Sequence, residues 1–496
     1  MCKDSELIIG IVRPLGTNSS EVIDCIRDSL SWFNYTIRFI KVSKEILSDF
    51  AEQKVFVKEY ERINYYMDLG NRIRKETKDS AILMKGVSKY IYENYHTEGK
   101  NPSSRVAYIV ESIKHPDEVD FLRRTYGDGF HLIGISDSYD NRKKHLVTRK
   151  HMPTKKAIEL LERDDNDKEK NGQHTRDAYQ QADYFINAGA GRTEIEASVF
   201  RLLDLLFGAS FITPTFEEYA MFRAYVASLR SADLSRQIGA VVATQNQEII
   251  AEGVNDCPKA FGGLYWPYYK NGEFYDVEGG RDYTLKYDTN KKEQAGLIES
   301  ILDSLELEKT EENIKKVKSA GIGGLTEFGR VVHSEMEALM MCARNNISAR
   351  GCEMYVTTFP CHNCAKHIIA AGIKRVVYIE PYPKSKALEF YKIEISHNPD
   401  VDEQRNEEKV VFEPFTGVGP HRFIDLFSMN STKWYTRKRK DENGNIVPWT
   451  REEASLRNPM KLLNYIEMEQ SAYIQYKEEI RGIRKENESD EGSDFN

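Results

Sequence analysis

The sequence reads His333-Ser-Glu335 and, further on, Pro360-Cys-His-Asn-Cys364, and the side chains of these two stretches must come together in the folded region around them if they bind one metal ion. They supply one imidazole and two thiols, which are side chains that bind zinc in proteins. A structural zinc site has four protein ligands, whereas a catalytic site has three and keeps its fourth position for water. We therefore predict one Zn²⁺ per chain, held by His333, Cys361 and Cys364. Glu335 remains as an acid that accepts and returns protons.

The residues around these stretches predict a mixed sheet with helices on its faces. The run Met354-Tyr-Val-Thr-Thr358 reads as a strand that leads to Cys361, and both metal motifs fall at the start of a helix. A helix N-terminus favours thiolates and other negative charge through the helix dipole. The other elements expected here are a helix from 216 to 230, a strand pair at 237–243 and 248–252, and a strand at 375–379.

The first segment of the chain predicts a nucleotide-binding α/β domain. Leu7-Ile-Ile-Gly-Ile-Val12 is a continuous apolar run, as expected of a strand buried on both faces of a parallel sheet. A glycine turn and a helical pattern follow, and this layout binds phosphates through backbone N–H groups. We predict a nucleotide-binding loop made of Gly10, Gly16, Thr17 and Asn18, with an ordinary glycine turn as the alternative. Further strands are expected at 37–42, 106–110, 130–135 and 183–187, which indicates a doubly wound sheet.

Three regions are expected along the chain. The α/β domain spans 1–213, and the zinc domain spans 214–430 with a long insert at 256–332. Loops longer than about 15 residues are uncommon without a fold or function of their own, so part of the insert is expected to fold. The third region, 431–496, is an extension with one helical pattern and an acidic tail from Glu486 that we expect to be disordered.

Composition restricts the classes of function. The net charge of −8 argues against broad, sequence-independent nucleic-acid binding, which needs many Lys and Arg contacts to phosphates. No apolar run approaches the roughly 20 residues that span a bilayer. The seven cysteines are an odd number without disulfide-like spacing, and the start of the chain lacks a secretory pattern. These features predict a cytoplasmic protein without a membrane partner.

The zinc region resembles deoxycytidylate deaminase. The matching segments are Arg230–Val242, Glu252–Asn255, His333–Ala338 and Cys361–Val377, and the order His-x-Glu then Pro-Cys-x-x-Cys is typical of zinc-dependent nucleobase deaminases. The resemblance implies a cytidine deaminase-like fold, a deoxycytidine nucleotide substrate, proton transfer by Glu335 and a homo-oligomer. It also implies that Asn255 binds the sugar, although an Asn that stabilises a turn fits the same position. Arg236 is a candidate for phosphate binding.

The first domain resembles the P-loop kinase superfamily, through Gly10–Asn18 and Ala182–Gly189. A working loop of that class has a Lys after its last glycine, whereas Thr17 and Asn18 follow Gly16 here. We therefore expect this domain to bind a regulatory nucleotide without transferring a phosphoryl group. The chain as a whole resembles the two-domain anti-phage dCTP deaminases of bacteria, which implies depletion of dCTP in defence.

Four alternatives stay open at this point. A structural zinc site would need Cys352, His362 or His367 as a fourth ligand. A polynucleotide deaminase would use the basic aromatic run Lys433–Lys440. A housekeeping dCMP deaminase would supply dUMP for thymidylate synthesis. A nucleotide sensor without enzymatic activity would place function in the first domain.

Overall fold

The computed structural model describes residues 5–51, 54–96, 105–165, 172–381, 385–397, 408–430, 438–458, 460 and 462–491. The architecture is α/β, with one sheet rich in parallel strands and one mixed sheet. The strands are β1 (Leu7–Val12), β2 (Thr36–Lys41), β3 (Val106–Ile113), β4 (Phe130–Ser136), β5 (Tyr184–Asn187), β6 (Gly239–Ala243), β7 (Ile249–Val254), β8 (Tyr268–Lys270), β9 (Glu273–Tyr275), β10 (Glu353–Thr358), β11 (Arg375–Glu380), β12 (Ile395–Ser396), β13 (Val410–Pro414) and β14 (Gly417–Val418).

Helices separate most strands of the first sheet, whereas β6 and β7 of the second sheet follow each other directly as the predicted strand pair. They are α1 (Ser20–Ser31), α2 (Glu59–Thr77), α3 (Ile82–Ile91), α4 (Pro116–Tyr126), α5 (Tyr139–Lys144), α6 (Thr154–Asp165), α7 (Thr175–Tyr179), α8 (Arg192–Leu206), α9 (Phe216–Ser228), α10 (Asp282–Leu285), α11 (Thr289–Ser304), α12 (Glu311–Ser319), α13 (Ser334–Arg344), α14 (His362–Ala371), α15 (Ala387–Phe390), α16 (Phe423–Phe427) and α17 (Leu462–Glu491). Among the described residues, no helix is long and apolar enough to cross a membrane.

The chain forms two compact units. The first contains residues 1–218 and 414–496, and the second contains residues 219–413. The first boundary lies close to the expected one, but the carboxyl-terminal part differs from the expectation. Residues 414–430 were assigned to the zinc domain and 431–496 to a separate extension, whereas the structure groups both with the first unit.

The first unit is built on a six-stranded sheet in the order β14-β5-β4-β1-β3-β2. β1 to β5 are parallel, and β1 lies in the centre with every residue buried. Its side chains pack with the apolar faces of α1 and α8 in one core. Strands that are buried on both faces read as continuous apolar runs, which is why the sequence predicted them well.

The end of the chain completes this unit. β14 pairs antiparallel with β5 at the edge of the sheet. From α17, Tyr465 donates a hydrogen bond to the buried Glu6 carboxylate at 2.7 Å, and Glu469 bonds the buried His96 ring at 2.5 Å. The acidic tail expected to be disordered from Glu486 is instead helical as far as Glu491.

The second unit is built on a six-stranded sheet in the order β12-β13-β11-β10-β6-β7. β10 is parallel to β11 and antiparallel to β6, which makes the sheet mixed as predicted. α13 and α14 contribute buried apolar residues to a core that also takes side chains from β6, β10 and β11. The insert folds into α10, α11, α12 and the small hairpin of β8 and β9.

Candidate active site

His333 lies at the N-cap of α13, where the first turn of the helix rests on the second sheet. The carbonyl oxygen of Ser334 and the amide nitrogen of Ala338 lie 2.0 and 2.4 Å from where a Cβ on Gly253 of β7 would be. Only a glycine permits this approach of helix backbone to strand backbone. Gly253 thus allows α13 to bring His333 and Glu335 down to the end of the sheet.

Cys361 and Cys364 lie at the start of α14, directly after β10. Cys361 is the N-cap residue, and its sulfur accepts a hydrogen bond from the backbone N–H of Cys364 at 3.4 Å. The helix ends at Gly372 with a φ of +78°, a conformation that glycine adopts without strain. α13 and α14 pack against each other, so their N-termini come together.

The three predicted ligands form one cluster. The Nδ1 atom of His333 lies 3.4 Å from Sγ of Cys361 and 3.3 Å from Sγ of Cys364. With zinc–sulfur bonds of about 2.3 Å and zinc–nitrogen bonds of about 2.0 Å, a tetrahedral ion needs a sulfur–nitrogen distance of about 3.6 Å. All three ligand atoms lie within 4.8 Å of one another, so this donor set fits Zn²⁺.

A fourth protein ligand is not found within the described ranges. The cluster there contains His333, Cys361 and Cys364 alone. Cys352, one of the alternatives raised from the sequence, is buried elsewhere in the core and donates its thiol to the carbonyl of Ser348. The geometry is that of an open three-ligand site.

The three ligand side chains shift one another's pKa values. The hydrogen bond with Cys364 is the main cause that lowers the pKa of Cys361 to about 4, with burial opposing and His333 adding to the effect. Its hydrogen bond with Cys361 raises the pKa of His333 to about 9 against the effect of burial. Both shifts favour charge separation between the ring and the Cys361 thiol. The hydrogen bond with Cys361, together with burial, raises the pKa of Cys364 well above its usual value, so zinc binding would displace protons from His333 and Cys364. Two thiolates and a neutral imidazole would balance the charge of one Zn²⁺.

Glu335 lies one residue into α13 with its carboxylate buried beside the cluster. Its side chain is 5% exposed, and its Oε2 accepts a hydrogen bond from the hydroxyl of Ser334 at 3.0 Å. Burial is the largest cause that raises the pKa of this carboxyl, while the nearby His333 lowers it. A raised pKa is the property that lets a carboxyl group exchange protons near neutral pH.

Comparison with known proteins identifies the family of the second unit. Residues 214–380 match the family model described as the cytidine and deoxycytidylate deaminase zinc-binding region. The deoxycytidylate deaminase of Enterobacteria phage T4 is 31% identical over 163 residues, which cover 33% of this chain and 77% of the phage protein. The chain belongs to the deoxycytidylate deaminase family.

Two further relatives show how far the likeness extends. The deoxycytidylate deaminase of Mus musculus is 28% identical over 162 residues, which cover 33% of this chain and 63% of the mouse protein. A dCMP deaminase from the cyanophage S-TIM5, crystallised with dCMP and dUMP, is 20% identical and aligns over its whole length with 41% of this chain, at a TM-score of 0.23. The residues that match the family model, 214–380, lie almost entirely in the second unit.

The side chain of Asn255 forms hydrogen bonds with backbone groups. Its Oδ1 accepts the N–H of Ile238 at 2.7 Å, and its Nδ2 donates to the carbonyl of Arg236 at 2.8 Å. Its own carbonyl accepts from the hydroxyl of Ser231 at 2.6 Å. The side chain therefore ties the end of β7 to the loop 231–238, as the turn-stabilising alternative predicts.

We expect the substitution Asn255→Ala to loosen this loop. It leaves the partly buried N–H of Ile238 and the partly buried carbonyl of Arg236 without their partner, which should lower the free energy of unfolding by about 1 kcal/mol. Urea denaturation measures the change, with the exposed Asn345→Ala as the matched control. An unchanged midpoint for Asn255→Ala would show that the loop does not depend on this side chain.

Arg236 is held at the edge of the site by an acid that sequence reasoning missed. Its guanidinium group contacts Oε1 of Glu380 at 2.9 Å, and the other oxygen of Glu380 accepts from the hydroxyl of Thr358 at 3.0 Å. Glu380 is buried at the end of β11, whereas the Arg236 side chain is 40% exposed. The sequence signal for Glu380 was a charged residue at the end of an apolar strand, β11, that pairs with β10, the strand leading to Cys361.

The insert begins and ends beside the zinc ligands. Asp256 and Val332 form an antiparallel bridge directly after Asn255 and directly before His333. Arg281 forms ion pairs with Asp256 at 3.3 Å and with Asp276 at 2.9 Å, which links the start of the insert to its middle. The insert is therefore a folded segment whose two ends meet beside His333.

The predicted nucleotide-binding loop lies in the first unit, and its residues do not all form a loop. Gly10 is inside β1, where an added Cβ would lie 2.5 Å from Cδ1 of Ile113, so packing explains this glycine. Gly16 has a φ of +84° and makes the turn. Thr17 is buried and Asn18 is exposed. The prediction was wrong in placing Gly10 in the loop.

Proposed function

We propose that the second unit catalyses hydrolytic deamination of a deoxycytidine nucleotide, giving the deoxyuridine nucleotide and ammonia. Family membership supports deamination of cytidine nucleotides by this chain. The observation that carries the proposal is the three-ligand cluster with a buried carboxyl group beside it. A purely structural zinc site would give Glu335 no task and would need a fourth ligand.

Zinc bound at His333, Cys361 and Cys364 would lower the pKa of a water molecule to near neutrality and so make it nucleophilic. Glu335 then moves the protons. Its carboxylate takes a proton from the attacking water, delivers it to N3 of the cytosine ring and carries the second proton to the departing amine. Ser334 holds Oε2 of Glu335, which leaves the other carboxylate oxygen for this exchange.

The loop 231–238 supplies the part of the site that binds the rest of the nucleotide. Asn255 positions this loop, and Glu380 holds the Arg236 guanidinium group while leaving much of its side chain exposed. An arginine fixed in this way can bind a 5′-phosphate as a planar fork. We infer that Arg236 contacts the phosphate and that Asn255 acts on the sugar side through the loop.

The defence role and the choice of dCTP belong to the same proposal. A deaminase that acts on dCTP would lower the supply of this precursor for phage DNA, whereas one that acts on dCMP would supply dUMP for thymidylate synthesis. We propose that dCTP is the substrate, that the first unit regulates the second through a bound nucleotide, and that the protein works as a homo-oligomer in the cytoplasm. The resemblance of the two sequence regions to those of the bacterial anti-phage dCTP deaminases is what supports this.

A polynucleotide substrate has less support. The basic aromatic run Lys433–Lys440, which would favour it, lies mostly outside the described residues, since the description resumes at Lys438. The net charge of −8 opposes broad binding of a polyanion.

A substrate comparison tests the proposal. The zinc-loaded full chain is incubated separately with dCTP, dCMP, CTP and a cytosine-containing single-stranded oligonucleotide, and uracil products are quantified. We expect conversion of the free deoxynucleotides, with dCTP ahead of dCMP. Faster conversion of dCMP would favour the housekeeping role. Conversion of the oligonucleotide alone would contradict the proposal.

A further inference from the structure

The loop between β1 and α1 already holds an anion, which is a carboxylate of the same chain. Oδ2 of Asp164 accepts the backbone N–H of Leu15 at 2.7 Å. Oδ1 accepts from Nζ of Lys114 at 2.9 Å and from the hydroxyl of Thr175 at 3.3 Å. The Asp164 side chain is 1% exposed. One loop N–H, one ammonium and one hydroxyl are the donors that protein sites use to bind phosphate oxygens.

Lys114 supplies the ammonium group that is missing after Gly16, in addition to the guanidinium group of Arg13 in the loop itself. It follows the last residue of β3, which is the neighbour of β1 in the sheet, and its Nζ also donates to the carbonyl of Arg13 at 3.0 Å. The ammonium group thus lies between the loop and Asp164 and is 16% exposed. A phosphate site in this unit needs no lysine after Gly16.

Two further buried groups of the loop lack a partner within the described residues. The hydroxyl of Thr17 has no hydrogen-bond partner there, and neither does Nε of Arg13. Thr17 is 3% exposed. Burial lowers the pKa of Arg13, while the carboxylates of Glu111 and Asp164 oppose this effect, so Asp164 acts on this guanidinium group as well. The loop therefore offers more donors than Asp164 uses.

Asp164 lies in the last turn of α6, and the packing of this helix is separate from the core of the sheet. Ala157, Leu160 and Leu161 of α6 are buried in a small cluster with Met67 and Leu146. The large core around β1, α1 and α8 is a different cluster. Elements held by few buried apolar side chains open at lower free energy than the central strands. Movement of α6 would leave the sheet intact.

The chain leading into α6 attracts anions. Between Asp140 and Glu159 the sequence has seven Lys or Arg residues and no acidic residue. Lys144, Arg149 and Lys155 in this stretch are exposed. The carbonyl of Arg142 lies 2.8 Å from where a Cβ on Gly16 would be, so this basic segment adjoins the loop. A cluster of one charge sign raises the local concentration of the opposite ion.

We propose that the β1–α1 loop, with Lys114 and Thr175, is an anion site whose resident occupant is Asp164, and that a phosphate group takes this position when α6 moves away. The phosphate belongs either to a nucleoside polyphosphate or to a free polyphosphate. Exchange of Asp164 for phosphate releases the end of α6. The anion site itself does not depend on the proposed function. Only an effect of the bound phosphate on deamination rests on the proposed regulatory role of the first unit.

Anion rescue tests the site in the full-length protein. In Asp164→Ala, Lys114 loses its carboxylate partner and keeps, among the described residues, only the carbonyl of Arg13. We expect a lower Tm that inorganic tripolyphosphate restores, with a rise of about 3 °C beyond any change in the unsubstituted chain. Asp183→Ala is the matched control, since Asp183 is equally buried and contacts Arg123 at 2.9 Å and the N–H of Leu132 at 2.8 Å. We expect no rescue there. Equal responses in both variants would overturn the proposal.

Binding measurements complete the test if Asp164→Ala does not fold. Asp164→Asn keeps the shape of the side chain and removes its charge, and we expect it to bind tripolyphosphate at least about tenfold more tightly than the unsubstituted chain in calorimetry. Adding Lys114→Met should abolish this gain. Unchanged affinity in Asp164→Asn, or a gain that survives Lys114→Met, contradicts the assignment.

Parallel titrations with ATP and dCTP distinguish the source of the phosphate. Tighter binding of a nucleotide than of tripolyphosphate indicates a nucleotide ligand, and equal binding indicates recognition of the phosphates alone. Deamination is measured on the same samples. An inactive chain that still shows anion rescue would contradict the deaminase proposal and support the anion site, while an active chain without rescue would do the reverse.

Discussion

Replacing Glu335 by glutamine is expected to lower kcat by about 10³-fold, because the variant retains the shape of the side chain but can no longer exchange protons with water, ring and amine. KM should change little, since the lost interaction belongs to the transition state. Zinc content and Tm should also stay close to those of the unsubstituted chain, because Glu335 is not a ligand. Steady-state kinetics with a metal assay on the same preparation measure all three.

Glu337→Gln is the matched control for this variant. Glu337 lies two residues further along α13, is similarly buried and contacts the Arg344 guanidinium group at 2.6 Å. Its substitution should affect stability and leave kcat within a few-fold. If Glu335→Gln and Glu337→Gln were equally active, the proton-transfer role of Glu335 would be wrong.

Removing a zinc ligand is expected to abolish both metal binding and activity. Cys361→Ala leaves two ligands, and we expect zinc to fall from about one ion per chain to a small fraction of that, with activity lost in proportion. Metal binding contributes to folding when the ligands meet only in the folded state, so the Tm of the variant should also be lower than that of the zinc-loaded chain.

Cys352→Ala separates loss of a ligand from loss of a buried thiol. Cys352 lies in the same core but outside the metal cluster, so this variant should keep its zinc and its activity. Treatment of the unsubstituted chain with EDTA should reproduce the loss seen in Cys361→Ala, and added Zn²⁺ should reverse it. Full activity after complete removal of zinc would exclude the proposed chemistry.

The parts of the structure that the sequence predicted depend on local patterns. β1 is a continuous apolar run because it is buried on both faces, and the starts of α13 and α14 follow from the metal motifs at their N-termini. The convergence of His333 with Cys361 and Cys364 was predictable because zinc itself demands it. In these cases the chemistry of a few adjacent residues specifies the outcome.

The parts that the sequence missed depend on distant partners. β14 is two residues long and becomes a strand only because Tyr184 and Phe185 at the edge of the first sheet pair with it. Asp164 belongs to a highly charged stretch, which is typical of a solvated loop, yet it is buried because Leu15 and Lys114 meet it there. Single-sequence patterns carry no signal for contacts of this kind.

Asn255 shows a third case, in which the sequence left two roles open for one side chain. The sequence offered sugar binding and a turn as equal interpretations, and both use the same amide group. The structure shows bonds from this amide to the loop 231–238. If Asn255 contributes to catalysis, it does so by holding that loop in position.

Incorporation of solvent oxygen into the product tests whether the protein deaminates a deoxycytidine nucleotide by hydrolysis. The zinc-loaded full chain is incubated with dCTP in water enriched in ¹⁸O, and the product is analysed by mass spectrometry. We predict a deoxyuridine nucleotide that carries one ¹⁸O atom in its base, formed together with an equal amount of ammonia. Recovery of unaltered dCTP, with dCMP unaltered under the same conditions, would contradict it.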